Sequence, residues 1–312
     1  MSLFREIGKL LLVKPHILDE EELSLYRDLS FRNFIFFREH FDEDFVSYRE
    51  KLCSHLKREG ILAVDQEGGK VCRIPMEIES PLDIAEKSQK KGEALFVSWA
   101  EKIAKTLKEF DLNLNLAPVV DLADESAEEY LRGRSFGKNP SVVIKFAGIF
   151  IDIHNNINIK TTLKHFPGLG EVKTDPHYHL PIKERITSTD LKPFQGLASK
   201  VFFIMTTHLL VPSWDRLPVT FSQRAIEVLR KDLNYYGVIV TDDLSMGALS
   251  TYPLQERILR SIASGHNLLI YCGSPTNLTE ALMDIKTEIE KSYIIRTKVM
   301  ESLTILEKCS IL

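Results

Sequence analysis

Short apolar segments recur along the chain, and longer polar segments separate them. Eight of the apolar segments have the length and the content of branched and aromatic residues that strands require. They span residues 8–13, 33–37, 61–65, 112–118, 160–166, 201–208, 237–243 and 266–272. Because apolar residues run continuously through each segment, we predict parallel strands that are covered on both faces.

Segments with helical spacing of apolar residues lie between these strands. They span residues 21–29, 42–59, 141–156, 221–233 and 254–264. Strands that alternate with helices in eight units predict an α/β fold, a single (β/α)₈ TIM barrel. The alternative is an open doubly wound sheet, but no GxGxxG turn follows the first strand. We expect one domain over residues 1–312, closed by one or two helices within residues 277–312.

Composition narrows the class of protein. The 312 residues are 44% hydrophobic and 27% charged, which is typical of a globular protein. The net charge is −4 and no basic stripe is visible, so we expect no nucleic acid partner. The N-terminal apolar run is too short for a signal peptide, and no run approaches the ~20 residues of a membrane span. The four scattered cysteines favour reduced thiols, and we expect a cytoplasmic protein without a membrane partner.

Reactive side chains fall where the predicted strands end, which is where (β/α)₈ barrels carry their active sites. Lys164 would be costly in an apolar core unless it were paired or faced an open mouth. His208 is expected to have a structural role. Of the adjacent Asp242 and Asp243, at most one should face the mouth squarely, since neighbouring strand residues point to opposite sides. Candidates at or just after strand ends are Asp65, Arg134, Lys164, His165, His208, Asp242 and Asp243.

A second group of polar residues lies in the loop that follows the fifth predicted strand. Asp175, His177 and His179 occur there within five residues. Metal binding, acid–base catalysis and surface polarity are all compatible with them. A metal-dependent hydrolase could use His165, His177, His179, His208 and Asp242 as ligands. Barrels of that kind would be expected to carry an H-x-H pair at the first strand, which is missing here, so we expect no metal and no cofactor.

Five motifs together resemble one known family. VDQEGGKVCRI, NLNLAPVVDL, GRSFG, KHFPGLG followed by DPH, and VTDDLSMGAL occur in this order. In this arrangement the chain is similar to glycoside hydrolase family 3 over about residues 8–275. It resembles in particular the single-domain bacterial β-N-acetylglucosaminidases (β-hexosaminidases) of peptidoglycan recycling. The resemblance implies retaining hydrolysis of terminal, non-reducing β-N-acetylglucosamine from muropeptides, through a covalent glycosyl-enzyme.

The resemblance also implies a role for each candidate. Asp242 would be the nucleophile, and His177 would be the general acid and base, held by Asp175. A histidine titrates near neutral pH, which suits a group that gives a proton and then takes one. The expected sugar-binding residues are Asp65, Arg134, Lys164 and His165.

Three positions depart from the usual pattern of that family. Leu169 replaces a second histidine, Pro176 replaces the serine of an Asp-Ser-His motif, and Lys70 replaces an arginine. None of them removes a catalytic group. Two further alternatives stay open, a family 3 β-glucosidase or β-xylosidase and a catalytically inactive sugar-binding barrel. The Asp-x-His motif and the lack of room for a second domain favour the N-acetylglucosaminidase, which we expect to act as a monomer.

Overall fold

A closed ring of parallel strands forms the centre of the molecule. The computed structural model describes residues 3–42, 44–54 and 60–309. Its strands are β1 Leu11–Val13, β2 Asn33–Phe36, β3 Leu62–Val64, β4 Leu114–Asn115, β5 Lys160–Phe166, β6 Phe203–Thr206, β7 Val238–Val240 and β8 Leu269–Tyr271. Each pairs in parallel with the next, β8 pairs with β1, and a bridge between Val240 and Leu268 joins β7 to β8. The predicted (β/α)₈ barrel is confirmed, with one strand in each predicted segment.

Helices surround the ring in the connections between strands. The α-helices are Leu3–Gly8, Glu20–Asp28, Phe45–Ser54, Pro81–Lys91, Ala94–Glu109, Pro140–Asn156, Ser188–Leu197, Gln223–Glu227, Leu254–Ser264, Pro275–Lys291 and Tyr293–Glu307. A π-helical turn, Val228–Asp232, continues the eighth of these. Four short 3₁₀ turns are Arg38–Phe41, Ala198–Lys200, Val219–Phe221 and Gly247–Leu249. Of the predicted helix at 42–59, residues 43 and 55–59 lie outside the described residues.

The first predicted strand was placed too early, because Leu3–Gly8 is helical and the strand begins only at Leu11. Residues 81–109 and 188–197 also form helices that the apolar pattern did not single out. Helix Ala94–Glu109 packs on helix Pro140–Asn156 through aromatic rings, with Phe96 and Phe146 centroids 4.6 Å apart. Such contacts come from tertiary packing, which decides most helix stability in proteins.

The chain's last two helices pack on the outside of the barrel. Pro275–Lys291 and Tyr293–Glu307 contact helix Leu254–Ser264 and the N-terminal helix Leu3–Gly8. They lie where closing helices were predicted, and the single-domain organisation of residues 1–312 stays a prediction. In the part of the chain that the structure describes, no helix combines the length and apolar character needed to span a bilayer.

Three connections build up the mouth of the barrel at the carboxyl ends of the strands. A hairpin after β3 pairs Gln66–Gly68 with Val71–Cys72. The connections after β4 and β5, residues 116–139 and 167–187, are long and contain no α-helix. Long loops of this kind in a compact domain usually serve a function.

Candidate active site

A cavity of about 690 Å³ opens at the mouth of the barrel. All seven residues expected from the sequence to act on a substrate line it, although they come from five different strand ends and loops. They are Asp65, Arg134, Lys164, His165, Asp175, His177 and Asp242. The residues lie together as predicted, and their individual roles stay predictions.

Lys164, in β5, is buried with its ammonium group between two carboxylates. Its Nζ lies 2.6 Å from Asp65 Oδ1 and 2.6 Å from Glu67 Oε1. Burial alone would lower the pKa of Lys164, but the attraction of Asp65 and Glu67 outweighs it and raises the pKa above its ordinary value. Lys164 is therefore a fixed positive charge. Burying an unpaired charge would be costly, and the two carboxylates offset that cost.

Glu67, which the sequence reasoning missed, is a buried partner of two candidate site residues. Its carboxylate is 2% exposed and accepts two hydrogen bonds from Arg134, from Nε and Nη2, each 2.8 Å long. Burial would raise the pKa of Glu67, but Arg134 and Lys164 together hold it well below the ordinary value. One buried anion thus pairs with two of the cations that line the cavity, Arg134 and Lys164. Its only sequence signal is its position two residues after Asp65.

Arg134 reaches this position because the connection after β4 folds back on the barrel. The next residue, Ser135, bridges to Val119 and donates its hydroxyl hydrogen to the Asp121 carbonyl. Arg134 Nη1 also donates to the Tyr130 carbonyl at 2.9 Å. The guanidinium is therefore held from both sides.

Asp121 orients His165. The carboxylate Oδ2 lies 2.7 Å from His165 Nδ1 and accepts the His165 backbone N–H at 3.3 Å, while Oδ1 accepts the Leu169 N–H at 2.6 Å. A carboxylate accepts hydrogen bonds when ionised, so the proton of the neutral ring lies on Nδ1 and leaves Nε2 as an acceptor. Lys164 and His165 both line the cavity although they are adjacent, because the pairing of β5 with β6 is irregular between Leu163 and Phe166.

Asp175 and His177 form the expected pair, but the local geometry differs from the prediction. Asp175 Oδ1 lies 2.6 Å from His177 Nδ1 and accepts the His177 backbone N–H at 2.9 Å. The Asp175 carbonyl accepts the N–H groups of Tyr178 and His179, so the segment is a tight turn and not the extended loop we expected. An aspartate that opens a turn commonly binds the backbone two residues ahead. The imidazole is 55% exposed at the cavity rim.

This turn, residues 175–179, rests directly on the loop that carries Asp242. Gly247 N–H donates to the His177 carbonyl at 2.9 Å, and Ala248 N–H donates to the Pro176 carbonyl at 3.2 Å. A side chain at position 247 would not fit, because its Cβ would lie 2.7 Å from the His177 carbonyl oxygen and 2.6 Å from that of Tyr178. The glycine therefore lets the two loops touch.

Asp242 follows β7 and faces the cavity. Its N–H donates to the Thr206 carbonyl at 3.0 Å, and its Oδ1 accepts the Asp243 N–H at 2.8 Å. Burial would raise the pKa of Asp242, but the imidazoles of His208 and His165 and the Asp243 N–H lower it below its ordinary value. The carboxylate is therefore ionised at neutral pH and available as a nucleophile.

The neighbours Asp243 and His208 hold the loop in shape. Asp243 Oδ1 accepts the N–H groups of Ser245 at 2.8 Å and Cys272 at 3.0 Å, and Oδ2 accepts the Ser245 hydroxyl at 2.6 Å. His208 Nε2 donates to the Asp243 carbonyl at 2.8 Å, and its Nδ1 is 2.7 Å from Thr220 Oγ1. These contacts give His208 the structural role that was expected of it.

The structure accommodates all three residues that depart from the family pattern. Leu169 is buried in an apolar cluster with Val119 and Val172. Pro176 is the first residue of the turn after Asp175, a position that suits a fixed φ. Lys70 lines the cavity and donates to the Glu129 carbonyl.

Arg73 lines the cavity and was also missed by the sequence reasoning. It lies on the far side of the hairpin from Asp65, and its guanidinium is 5.1 Å from the centre of the Phe37 ring. A guanidinium stacked on a ring is held in place with its N–H groups available. The arginine therefore adds a further donor to the polar wall of the cavity.

The metal-site alternative finds no geometric support in residues 3–42, 44–54 and 60–309. Within these ranges no three His, Cys, Asp or Glu side chains are grouped so that they could hold an ion. His179 is exposed and does not line the cavity, and His208 binds Asp243 and Thr220.

Comparison with known proteins agrees with the architecture and the motifs. The model of the glycosyl hydrolase family 3 N-terminal domain matches residues 42–307. The chain belongs to this family. It is accordingly a glycoside hydrolase.

Curated relatives match most of the chain. A protein of Haemophilus influenzae named beta-hexosaminidase is 32% identical over 311 residues, which cover 93% of this chain and 87% of that protein. A protein of Tolumonas auensis with the same name is 34% identical over 274 residues, covering 82% and 80%.

Solved structures share the fold. The beta-N-acetylhexosaminidase of Beutenbergia cavernae superposes with a TM-score of 0.87 at 22% identity, covering 99% of this chain and 98% of that one. The M. tuberculosis protein LpqI superposes with a TM-score of 0.83 at 21% identity, covering 98% and 94%.

Proposed function

We propose that this protein is a retaining exo-β-N-acetylglucosaminidase, with Asp242 as nucleophile and His177 as general acid and base. The observation that carries the proposal is that Asp242 and the Asp175–His177 pair line one cavity, on two loops joined by backbone hydrogen bonds. Retaining glycosidases need a nucleophile on one side of the scissile bond and a proton donor at the leaving oxygen.

In the first step, the Asp242 carboxylate attacks the anomeric carbon while His177 gives its proton to the leaving oxygen. The carbon–oxygen bond to the aglycone breaks, and an ester bond forms between Asp242 and the sugar. A pKa of Asp242 below its ordinary value keeps the nucleophile ionised. The hydrogen bond from His177 Nδ1 to Asp175 leaves Nε2 as the nitrogen that carries the proton to be transferred.

In the second step, neutral His177 takes a proton from water as the water attacks the same carbon. The ester breaks, Asp242 regains its charge, and the sugar leaves with its original β configuration. Asp175 holds the ring in one tautomer and stabilises the imidazolium through its charge.

The four remaining residues would bind the hydroxyl groups of the terminal sugar. Asp65 accepts hydrogen bonds, Arg134 and Lys164 donate them, and His165 Nε2 accepts. Hydrogen bonds from charged groups are stronger than those between neutral groups, which suits a rigid grip on one ring. The network through Glu67 and Asp121 sets these groups in place before the substrate arrives.

The choice of N-acetylglucosamine rests on the names of the relatives and on the resemblance described above. The relatives with 32% and 34% identity are named beta-hexosaminidase. We extend the proposal to muropeptide fragments in the cytoplasm as the natural substrates. Action as a monomer without metal or cofactor stays a prediction.

Turnover of chromogenic β-glycosides tests the proposal. The wild type should cleave the β-N-acetylglucosaminide and leave the matching β-glucoside intact. Asp242→Ala and His177→Ala should lose at least about 100-fold in kcat/KM on the glycoside that the wild type cleaves. His179→Ala, in the same turn but outside the cavity, is the matched control and should match the wild type. Cleavage of neither sugar, or full activity of His177→Ala, would overturn the assignment.

A further inference from the structure

Tyr178 follows the proposed acid–base residue directly, and its ring is exposed. The residue lines the cavity, and 70% of it is accessible to solvent. Within the described residues its ring makes no aromatic contact and its hydroxyl no hydrogen bond. An aromatic ring left open at the rim of a binding cavity is a surface available to a ligand.

The backbone behind this ring is fixed. Tyr178 N–H donates to the Asp175 carbonyl at 3.1 Å, and the Tyr178 carbonyl lies against Gly247, where an added Cβ would be 2.6 Å away. The backbone that carries the ring is therefore held against both the Asp242 loop and the Asp175–His177 turn. Met246, the residue before Gly247, also lines the cavity and gives this rim a second apolar side chain.

Adjacency to His177 determines which part of the substrate the ring can meet. A general acid must touch the leaving oxygen, so the region beyond His177 belongs to the leaving group and not to the sugar that is held by Asp65 and Lys164. The leaving group of a disaccharide is a hexopyranose, which presents a face of C–H groups. An aromatic ring with an apolar face and a polar tip suits such a surface.

We propose that Tyr178, with Met246 beside it, forms a platform on which a hexopyranosyl leaving group stacks. This inference rests on the proposed function, because it takes His177 as the proton donor. It makes the enzyme selective for aglycones that are themselves sugars. Stacking acts only while the leaving group is attached, so it affects formation of the glycosyl-enzyme and not its hydrolysis.

Two substrates that share the N-acetylglucosaminyl group separate this role from others. Di-N-acetylchitobiose has a sugar as leaving group, whereas N-acetyl-β-glucosaminyl fluoride has nothing that could stack. Tyr178→Ala should lower kcat/KM for the disaccharide about threefold to tenfold and leave kcat/KM for the fluoride unchanged. Tyr178→Phe should retain the wild-type values for both substrates, because the ring remains.

His179→Ala controls for disturbance of the turn, since His179 is exposed and lies outside the cavity. It should leave both substrates unaffected. An equal loss on both substrates in Tyr178→Ala, or no loss on either, would overturn the platform.

Failure of the proposed function would have a different signature. In that case the wild type would not hydrolyse the fluoride at all. The platform is then tested by measuring equilibrium binding of the disaccharide and of free N-acetylglucosamine instead of kinetics. Tyr178→Ala should weaken binding of the disaccharide and leave binding of free N-acetylglucosamine unchanged. Equal affinities of wild type and variant for the disaccharide would reject the platform.

Discussion

Glu67 and Arg134 form a buried bidentate ion pair, with both hydrogen bonds 2.8 Å long. The same carboxylate lies 2.6 Å from Lys164 Nζ. A single buried anion therefore sets the position of two groups that are proposed to hold the substrate. Removing it would leave two cations without their common partner.

We expect Glu67→Gln to be destabilising and to weaken substrate binding. Loss of one partner of a buried ion pair typically costs about 3–5 kcal/mol of the free energy of unfolding. KM should rise more than kcat falls, since the two cations are proposed to hold the sugar and not to transfer protons. Denaturant unfolding and steady-state kinetics check this.

Asp152→Asn is the matched control, because it breaks an exposed pair with Lys200 and should cost less than about 1 kcal/mol. If Glu67→Gln keeps the stability and the KM of the wild type, the ion pairs of Glu67 with Arg134 and Lys164 are not needed for stability or substrate binding.

Gly247→Ala should separate the two catalytic loops. The new Cβ would press on the carbonyl oxygens of His177 and Tyr178, so the acid–base residue should move relative to Asp242. A displacement of about 1 Å can cost up to about 100-fold in rate, and we expect the loss in kcat. Gly148→Ala, where the Cβ would make only an ordinary 3.7 Å contact with Leu197, should retain the wild-type kcat. If kcat of Gly247→Ala stays within twofold of the wild type, the close contact between Gly247 and the turn at residues 175–179 does not matter for the rate.

Asp121→Asn should change the tautomer of His165 with a side chain of nearly the same size, at the cost of the hydrogen bond from the His165 backbone N–H. The asparagine amide can donate to Nδ1, which would move the ring proton to Nε2 and remove the acceptor from the cavity. Losing a hydrogen bond between neutral groups, worth about 0.5–1.5 kcal/mol, corresponds to a decrease of roughly 2- to 12-fold in kcat/KM.

The ¹⁵N shifts of the His165 ring report the tautomer directly, and an unchanged spectrum would contradict this reading. Asp124→Asn, at a half-exposed aspartate that pairs with Lys138, is the control and should alter neither kinetics nor spectrum.

Two buried histidines predict how stability depends on pH. Burial lowers the pKa of His154 to about 4 and that of His266 to about 3, from an ordinary 6.5. Below pH 6.5 the unfolded chain therefore binds protons that the folded chain does not. Each histidine should decrease the free energy of unfolding by up to about 1.4 kcal/mol per pH unit as pH falls from 6.5 towards its folded pKa.

Urea unfolding between pH 7 and pH 4.5 measures this slope. His266→Gln should give a shallower slope than the wild type. An identical slope in the variant would mean that His266 is not held neutral.

The apolar pattern predicted the barrel because parallel strands covered on both faces are continuously hydrophobic, as β7 and β8 are. It missed helices Pro81–Lys91 and Ser188–Leu197, which begin at side-chain caps on Ser80 and Thr187. Capping residues are single polar positions, which a search for apolar periodicity does not detect.

The sequence predicted those site residues that line the cavity. It missed a residue that is packed behind them. Asp65, Lys164 and Asp242 stand at strand ends, and barrel geometry brings strand ends together. Glu67 pairs with Lys164 in β5 and with Arg134 in the loop after β4, contacts that no spacing in the sequence encodes. The Asp175–His177 pair was predicted for the wrong geometric reason, because the turn is specified by Asp175 and Pro176 together and not by an extended backbone.

Covalent trapping tests the central claim, that Asp242 is the nucleophile, most directly. A 5-fluoro-N-acetylglucosaminyl fluoride forms the glycosyl-enzyme faster than water removes the sugar, so mass spectrometry of the intact protein should show one added glycosyl group. Peptide mapping should place it on Asp242, and Asp242→Ala should stay unlabelled. A label on another residue, or turnover of substrate with inversion and without any labelled protein, would contradict the account.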